Sequence, residues 1–276
     1  MKDTHVHSNI SHDGISTIEE YCKSARGMGV DEITFTEHYD IYDGVDTDLK
    51  TIKLNLYKLQ FVTLKNRYKN VIDLNYGLEV GLQPDINVQE KIKRDIRGFD
   101  FVIGSSHITC KKDISKDYSF FEGLSRHEAY LKYFEEVLEN IKTYDNEFDV
   151  YGHLDYIVRY GGYKERIIDY DEFKDILDAI LTELIRKDKG LEINTSAFRY
   201  GLPFTHPNPE ILRRYKELGG KIITIGSDAH KVEDLAKDFD VACSVAKGAG
   251  FDEAAIFHKR KPDFVKINSL KPKWKW

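Results

Sequence analysis

The sequence predicts an α/β fold in which a parallel sheet closes into a barrel, and three observations carry that prediction. Short apolar or β-branched runs alternate with longer segments of helical spacing along the chain. The alternation repeats seven times, and strands joined through long helices imply parallel pairing with crossover connections. Nearly every predicted strand also ends in a histidine or a carboxylate. An open doubly wound sheet gathers its chemistry at one switch point, whereas a barrel brings all its strand C-termini around one mouth. The distribution of these polar residues favours the barrel, with a metal site at the strand C-termini.

Taken in order, the predicted strands cover about 2–6, 32–37, 73–80 ("DLNYGLEV"), 99–106 ("FDFVIGSS"), 148–153, 190–195 ("GLEINT") and 221–227 ("KIITIGS"). Between them, "STIEEYCKSARGMG" opens with a capping signal at Ser16 and Glu19 and closes on Gly27 and Gly29, where a helix can end. "SRHEAYLKYFEEVLENIKTY", "DEFKDILDAILTELIRK" and "NPEILRRYKELGG" repeat apolar residues at helical intervals. His127 is expected early in a helix and His258 late in one, both facing solvent. No linker rich in Gly, Pro or Ser interrupts the pattern, so residues 1–276 are read as a single domain.

Composition narrows the classes of function. The chain is 41% hydrophobic and 32% charged with a formal net charge of -6, as expected of a soluble globular protein. Its lysine-dense stretches, "KRKPDFVK" and the tail "KPKWKW", are short and read as solvated surface, so no nucleic-acid partner is expected. The three cysteines are far apart and odd in number, which fits a reducing cytoplasm better than a disulfide framework. No signal-like or membrane-spanning apolar segment is present, and no membrane association is expected.

The chemistry is concentrated at the strand ends. "DTHVHSNISHDG", residues 3–14, supplies His5, His7, His12 and Asp13; then come His38 in "TEH", Glu79 in "GLEVG", His107 in "SSH", His153 in "YGHLD", and Asp228 with His230 in "GSDAH". Strand residues two apart share a face, so His5 and His7 can aim at one point. A lone histidine is more often a structural residue than a ligand. Here seven of the ten, His5, His7, His12, His38, His107, His153 and His230, gather at one predicted mouth. Burying so many rings there without a ligand would leave donors and acceptors unsatisfied, whereas imidazole and carboxylate together suit Zn, Fe or Mn. His206, in the loop "PFTHPNP", is within possible reach of the same mouth.

The ordered set H-x-H, E-H, a Glu on the third strand, single histidines on the fourth and fifth and a closing D-x-H resembles the polymerase and histidinol phosphatase (PHP) family. The resemblance covers Asp3 to His230 and implies a distorted (β/α)7 TIM-like barrel holding up to three divalent ions. "GLEVG", "GHLDYIVRY" and "INTSAFRYG" are most similar to the family's stand-alone histidinol-phosphate phosphatases. On the family pattern, His5, His7, Glu79 and Asp228 hold one ion. Glu79 bridges to a second, shared with His107 and His153, and His38, His230 and a first-loop residue hold the third. Many relatives have histidine at the first-loop position, where this chain has Asp13 beside His12, and either side chain can bind such ions.

The resemblance thus implies a phosphoric monoester hydrolase that converts L-histidinol phosphate to L-histidinol and phosphate in histidine biosynthesis. A cationic pocket suits a phosphate dianion, and Arg159 and Arg199, just beyond the fifth and sixth strands, offer guanidinium forks for its oxygens. Metal coordination brings water toward a pKa of about 7 for in-line attack at phosphorus. Asp228, together with Glu79 and His230, is the expected catalytic set, Asp228 orienting or deprotonating that water. No Ser or Cys nucleophile is required. Three alternatives have their own signatures: a phosphoesterase or exonuclease on nucleotides or DNA ends, a non-catalytic metal-binding barrel module, and an amidohydrolase-like barrel. The first lacks a basic groove, the second should have lost ligands, and the third should carry a bridging lysine on the fourth strand.

Overall fold

The computed structural model describes residues 1–41 and 52–271; the tail beyond 271, read from sequence as solvated surface, lies outside the described residues. Eleven strands occur among them: β1 (Lys2–Val6), β2 (Glu32–Tyr39), β3 (Asp73–Gly81), β4 (Phe101–Ser105), β5 (Ile108–Thr109), β6 (Lys112–Asp113), β7 (Val150–Tyr151), β8 (Gly190–Asn194), β9 (Ile223–Gly226), β10 (Glu253–His258) and β11 (Lys261–Lys266). The helices are α1 (Ile18–Ala25), α2 (Leu54–Tyr68), α3 (Ile86–Asp95), α4 (Arg126–Thr143), α5 (Lys174–Arg186), α6 (Pro209–Glu217) and α7 (Phe239–Gly248). Seven strands form one parallel sheet in the order β1-β2-β3-β4-β7-β8-β9, and a parallel bridge between Val6 and Ala229 brings its two edges together. The predicted (β/α)7 barrel is therefore present and nearly closed.

Register explains the mouth. Across β2 and β3, Thr34 lies beside Asn75, Thr36 beside Gly77 and His38 beside Glu79, and paired residues in a parallel sheet share a face. The alternate residues Ile33, Phe35, Leu74 and Leu78 are buried in the main apolar core, so the polar column faces the barrel interior. The edges meet through His7 N–H to the Ala229 carbonyl at 2.8 Å and Asp228 N–H to the His5 carbonyl at 2.8 Å. Gly226 permits that approach, because a Cβ there would lie 2.3 Å from the His5 Cβ.

Of the four helices the sequence places, α4 and α6 start as expected, and the segment read from Asp171 opens with a short turn before α5 begins at Lys174. Ser125 and Glu128 form a capping box on α4, and Asn208 caps α6 ahead of Pro209. The cap of α1 is shifted by one residue from the predicted Ser16 and Glu19. Thr17 and Glu20 make the reciprocal box, while the Ser16 hydroxyl accepts the Val232 N–H at 3.1 Å. His127 lies early in α4 and is half exposed, as expected. His258 departs from expectation, since it ends strand β10 and not a helix. Residues 253–266 form an antiparallel hairpin whose buried face packs Ala255 and Phe257 against Phe101, Ile103 and Val150 at the floor of the barrel. A short apolar run such as "AAIF" does not reveal its period, and packing against the floor selects the strand. Part of "KRKPDFVK" is not free surface either: Arg260 binds Asp149 at 2.6 Å. All three cysteines are free thiols, and no helix among the described residues is long and apolar enough to cross a membrane.

Candidate active site

At the mouth, Glu79 stands at the centre of the histidines. Its Oε1 accepts from the Ser105 hydroxyl at 2.7 Å and lies 2.9 Å from His153 Nε2 and 3.3 Å from His107 Nε2. Its Oε2 faces His5 Nε2 and His7 Nε2, each at 3.4 Å, and His38 Nδ1 at 3.0 Å. Asp228 Oδ1 faces the same pair from the other side, 3.6 Å from His5 and 3.4 Å from His7. A third group forms at the rim, where Asp13 Oδ2 is 3.2 Å from His230 Nε2 and 3.5 Å from His38 Nε2.

The first-loop alternatives occupy different positions. Asp13 lines the central cavity, of about 210 Å³, together with His38, His107, His153, Asp228 and His230. His12 does not line it: its ring lies 5.4 Å from the His38 ring and its Nε2 is 3.7 Å from Asp13. Glu37 shapes this loop by accepting from the backbone and hydroxyls of both Ser8 and Ser11. Burial pushes the Glu37 carboxyl up to about 7 against those hydrogen bonds.

The donors fit divalent ions on several physical grounds. His5 Nδ1 contacts Glu192 Oε1 at 2.5 Å, which fixes the ring so that Nε2 is the nitrogen offered to an ion. That Nε2 is only 2.9 Å from His7 Nε2, two nitrogen faces turned toward one point. Glu79 Oε2 and His38 Nδ1 are buried, and neither has a hydrogen-bond partner despite their proximity, because the alignment is poor. Such orphans are costly unless a cation completes them. Electrostatics record the same tension. Burial raises the Glu79 pKa, but His5, His107 and His38 outweigh it and hold the carboxyl well below the usual range. Burial together with the neighbouring His38 and His230 drives His7 far down, while Asp40 and Glu79 overcome burial to lift His107 to about 10. His153 and Asp228 adopt positive φ values of 23° and 54°, strained backbone at two cluster positions.

Several supporting groups were not recognisable as such in the sequence. Glu192 also accepts the His153 backbone N–H at 2.9 Å, and Asp40 Oδ1 lies 2.9 Å from His107 Nδ1, so carboxylates orient the rings of His5 and His107. Alternation along β8 puts Glu192 on the same face as Asn194, and a buried carboxylate inside a strand was the available signal.

The two arginines face the cluster. Arg199 Nη2 donates to the carbonyls of Ser227 and Asp228, each at 2.7 Å, while its buried Nη1 has no protein partner. Arg159 is nearly buried between the rings of Tyr156 and Tyr200, 4.7 and 4.3 Å from its guanidinium carbon, with Asp228 Oδ2 3.7 Å from Nη2. His206 is fully buried and meets Arg159, not the imidazole cluster.

Comparison with known proteins then decides the family, since the PHP domain pattern matches residues 3–196. The chain belongs to the PHP family. A histidinol-phosphatase of Lactococcus lactis subsp. lactis (strain IL1403) is 34% identical over 265 residues, covering 95% of this PHP chain and 96% of that protein. A crystal structure of histidinol phosphate phosphatase from the same strain, complexed with Zn, L-histidinol and phosphate, superposes with a TM-score of 0.85 at 32% identity, covering 95% of this chain and 98% of that one. A Listeria monocytogenes structure at 19% identity, with a TM-score of 0.77 and coverage of 87% and 99%, shares the fold.

Proposed function

We propose that this PHP protein is a metal-dependent histidinol-phosphatase, a single-domain cytoplasmic enzyme that hydrolyses L-histidinol phosphate to L-histidinol and phosphate. The observation that carries the reading is the cavity itself. Asp13, His38, His107, His153, Asp228 and His230 line it together with Arg159 and Arg199, and Glu79 contacts His38, His107 and His153. His5, His7, Glu79 and Asp228 would hold one divalent ion; Glu79, His107 and His153 a second; Asp13, His38 and His230 a third. Zinc is the ion of the Lactococcus structure, and iron or manganese suits the same donors. Bound ions would supply Lewis acidity, polarising the phosphoryl group and making water acidic enough to attack it.

The chain's own residues do the rest. Arg159 and Arg199 bind phosphate oxygens, the latter through the unpartnered Nη1, and offset the charge that builds at phosphorus. Asp228 spans both halves, its Oδ1 toward His5 and His7 and its Oδ2 toward Ser196 Oγ at 3.0 Å and Arg159. It is the group that orients the attacking water, takes its proton as the ester P–O bond breaks, and returns that proton to the departing alkoxide. His230, partly exposed at the rim, donates from Nδ1 to the Asp228 carbonyl at 2.9 Å and turns Nε2 toward Asp13 Oδ2 at 3.2 Å.

The test is phosphate release by zinc-loaded protein from histidinol phosphate against a panel of sugar and nucleotide monoesters, with elemental analysis of protein purified without chelators. Preference for histidinol phosphate and more than one ion per chain are expected. Comparable turnover of several panel members would remove the histidinol assignment, and absence of release from every monoester would remove the phosphatase.

A further inference from the structure

His206 is a buried imidazole that the ion-facing cluster does not use, and its two ring nitrogens meet opposite partners. Nδ1 lies 2.5 Å from Asp155 Oδ1, and Nε2 receives the Arg159 Nε–H at 3.0 Å. We propose that His206, backed by Asp155, is a positioning residue that acts as a neutral hydrogen-bond acceptor and fixes the rotation of Arg159 toward the phosphoryl group. This rests on the phosphatase reading above, through the role given there to Arg159.

A guanidinium carries five N–H donors and no acceptor, so whatever meets Nε must offer a lone pair. An imidazole offers one at Nε2 only when it is neutral with its proton on Nδ1. Asp155 selects that tautomer by accepting from Nδ1, and its other oxygen is held by the Asn208 N–H at 2.9 Å. Burial lowers the His206 pKa, which keeps the ring neutral near pH 7. The backbone of His206 is tied in both directions to Asn194, at 2.7 and 2.9 Å, so the ring is anchored at the end of β8.

The tyrosines on either side of Arg159 fix the plane of the guanidinium but leave rotation within that plane free. In-plane contacts remove the freedom: Nε to His206, and Nη2 to the hydroxyl of Ser196, two residues beyond Asn194. Both contacts therefore depend on one strand end. Without the acceptor, the nearest anion is Asp228 Oδ2, 3.7 Å from Nη2, and rotation toward it would spend the positive charge on a carboxylate instead of on phosphate.

Two substitutions separate positioning from simple packing. His206→Asn keeps a donor toward Asp155 but places no acceptor at Arg159, whereas His206→Gln can put an amide oxygen near the position of Nε2. Zinc-loaded protein is titrated with inorganic phosphate, and steady-state phosphate release is measured alongside zinc content and melting. For the Asn variant, phosphate Kd and substrate KM should rise roughly 10- to 100-fold, the range for losing a hydrogen bond to a charged group, with a smaller fall in kcat. For the Gln variant both should stay within about threefold of wild type, since the acceptor is retained. Equal phosphate affinity in the two variants overturns the proposal. So does a Gln variant with normal zinc content whose affinity falls tenfold, a comparison that stands even if the Asn variant does not fold. If wild type hydrolyses no monoester, the phosphatase reading fails by itself, and the phosphate titrations still decide the role of His206.

Discussion

At the floor of the barrel, Arg260 is paired with Asp149, His258 Nδ1 meets Asn75 Oδ1 at 3.1 Å, and Lys2 pairs with Glu32, all around a plug built on Phe257 and Phe101. At the mouth of the same strands, Glu79 Oε2 and His38 Nδ1 have no hydrogen-bond partner, and His5 and His7 turn nitrogens toward each other. Burial and satisfaction both differ between the two ends: Lys2, His258 and Arg260 keep 31%, 47% and 24% of their side chains exposed, whereas His5, His7 and Glu79 are buried. The floor closes its polar groups on one another and serves stability, whereas the mouth holds donors in an arrangement that only an external cation completes. Unsatisfied imidazole, carboxylate and guanidinium groups separate the site from the scaffold: among the described residues the buried ones without a partner belong to His38, Glu79, His153 and Arg199, all at the mouth.

The sharpest way to test that contrast is Glu79→Gln, which removes the charge shared by all the inner histidines. Phosphate release should fall about 10³-fold, the order seen when transition-state electrostatics are lost, and zinc content should drop with it. Native zinc content and activity in this variant would break the comparison. At the floor the effect should be on stability instead. Phe257→Ala empties a site in the plug and should cost about 3 kcal/mol of unfolding free energy, read by denaturant titration, with kcat within twofold of wild type at 25 °C. A parallel collapse of kcat would show that the two ends are not separable.

Glu192→Gln tests the intermediate case, a fully satisfied carboxylate whose service is to orient His5. Zinc affinity should weaken roughly 10- to 100-fold, measured by chelator competition, with little loss of fold. Protons offer another probe. In metal-free protein the pKa of His107 is raised to about 10 by Asp40 and Glu79 against burial, so its contribution to stability is fully present below about pH 6.5 and is lost as pH rises through about 10. Zinc must displace that proton, so zinc affinity should rise with pH across this window, by roughly tenfold per unit for each proton released. Calorimetry in buffers of different ionisation enthalpy counts those protons, and a count of zero would contradict the assignment of His107. The smallest effect is expected at the rim. His12→Ala should leave activity within about threefold, while Asp13→Asn should lower it by tenfold or more, because only Asp13 reaches His38 and His230. Reversal of that order would move the first-loop ligand to His12.

Much of this was legible before any coordinates. Seven strand and helix alternations, the histidines and carboxylates at strand ends and the H-x-H spacing each follow from local periodicity, and periodicity is a property of the chain. The starts of α1, α4 and α6 were legible to within one residue, and the offset at α1 arises because Thr17 and Ser16 offer equivalent chemistry and only the Ser16 contact with Val232 distinguishes them. The hairpin of residues 253–266 was missed because four consecutive apolar residues carry no period. Glu192 and Asp40 were missed, and His206 was placed near the mouth without its arginine partner, because each acts on a neighbour brought close by other elements.

The sequence by itself determined the fold class, the residues gathered at the mouth and the family to which the chain belongs, since all three are encoded in residue types and spacings along one dimension. Only the tertiary structure decided that Asp13 and not His12 lines the cavity, that Glu79 faces the inner histidines on both sides, and that His206 faces an arginine instead of an ion. Those outcomes depend on direction and distance, and a side chain's direction is set by barrel closure, by strand register and by second partners such as Glu37, Glu192 and Asp155, which lie 24, 187 and 51 residues away from Asp13, His5 and His206.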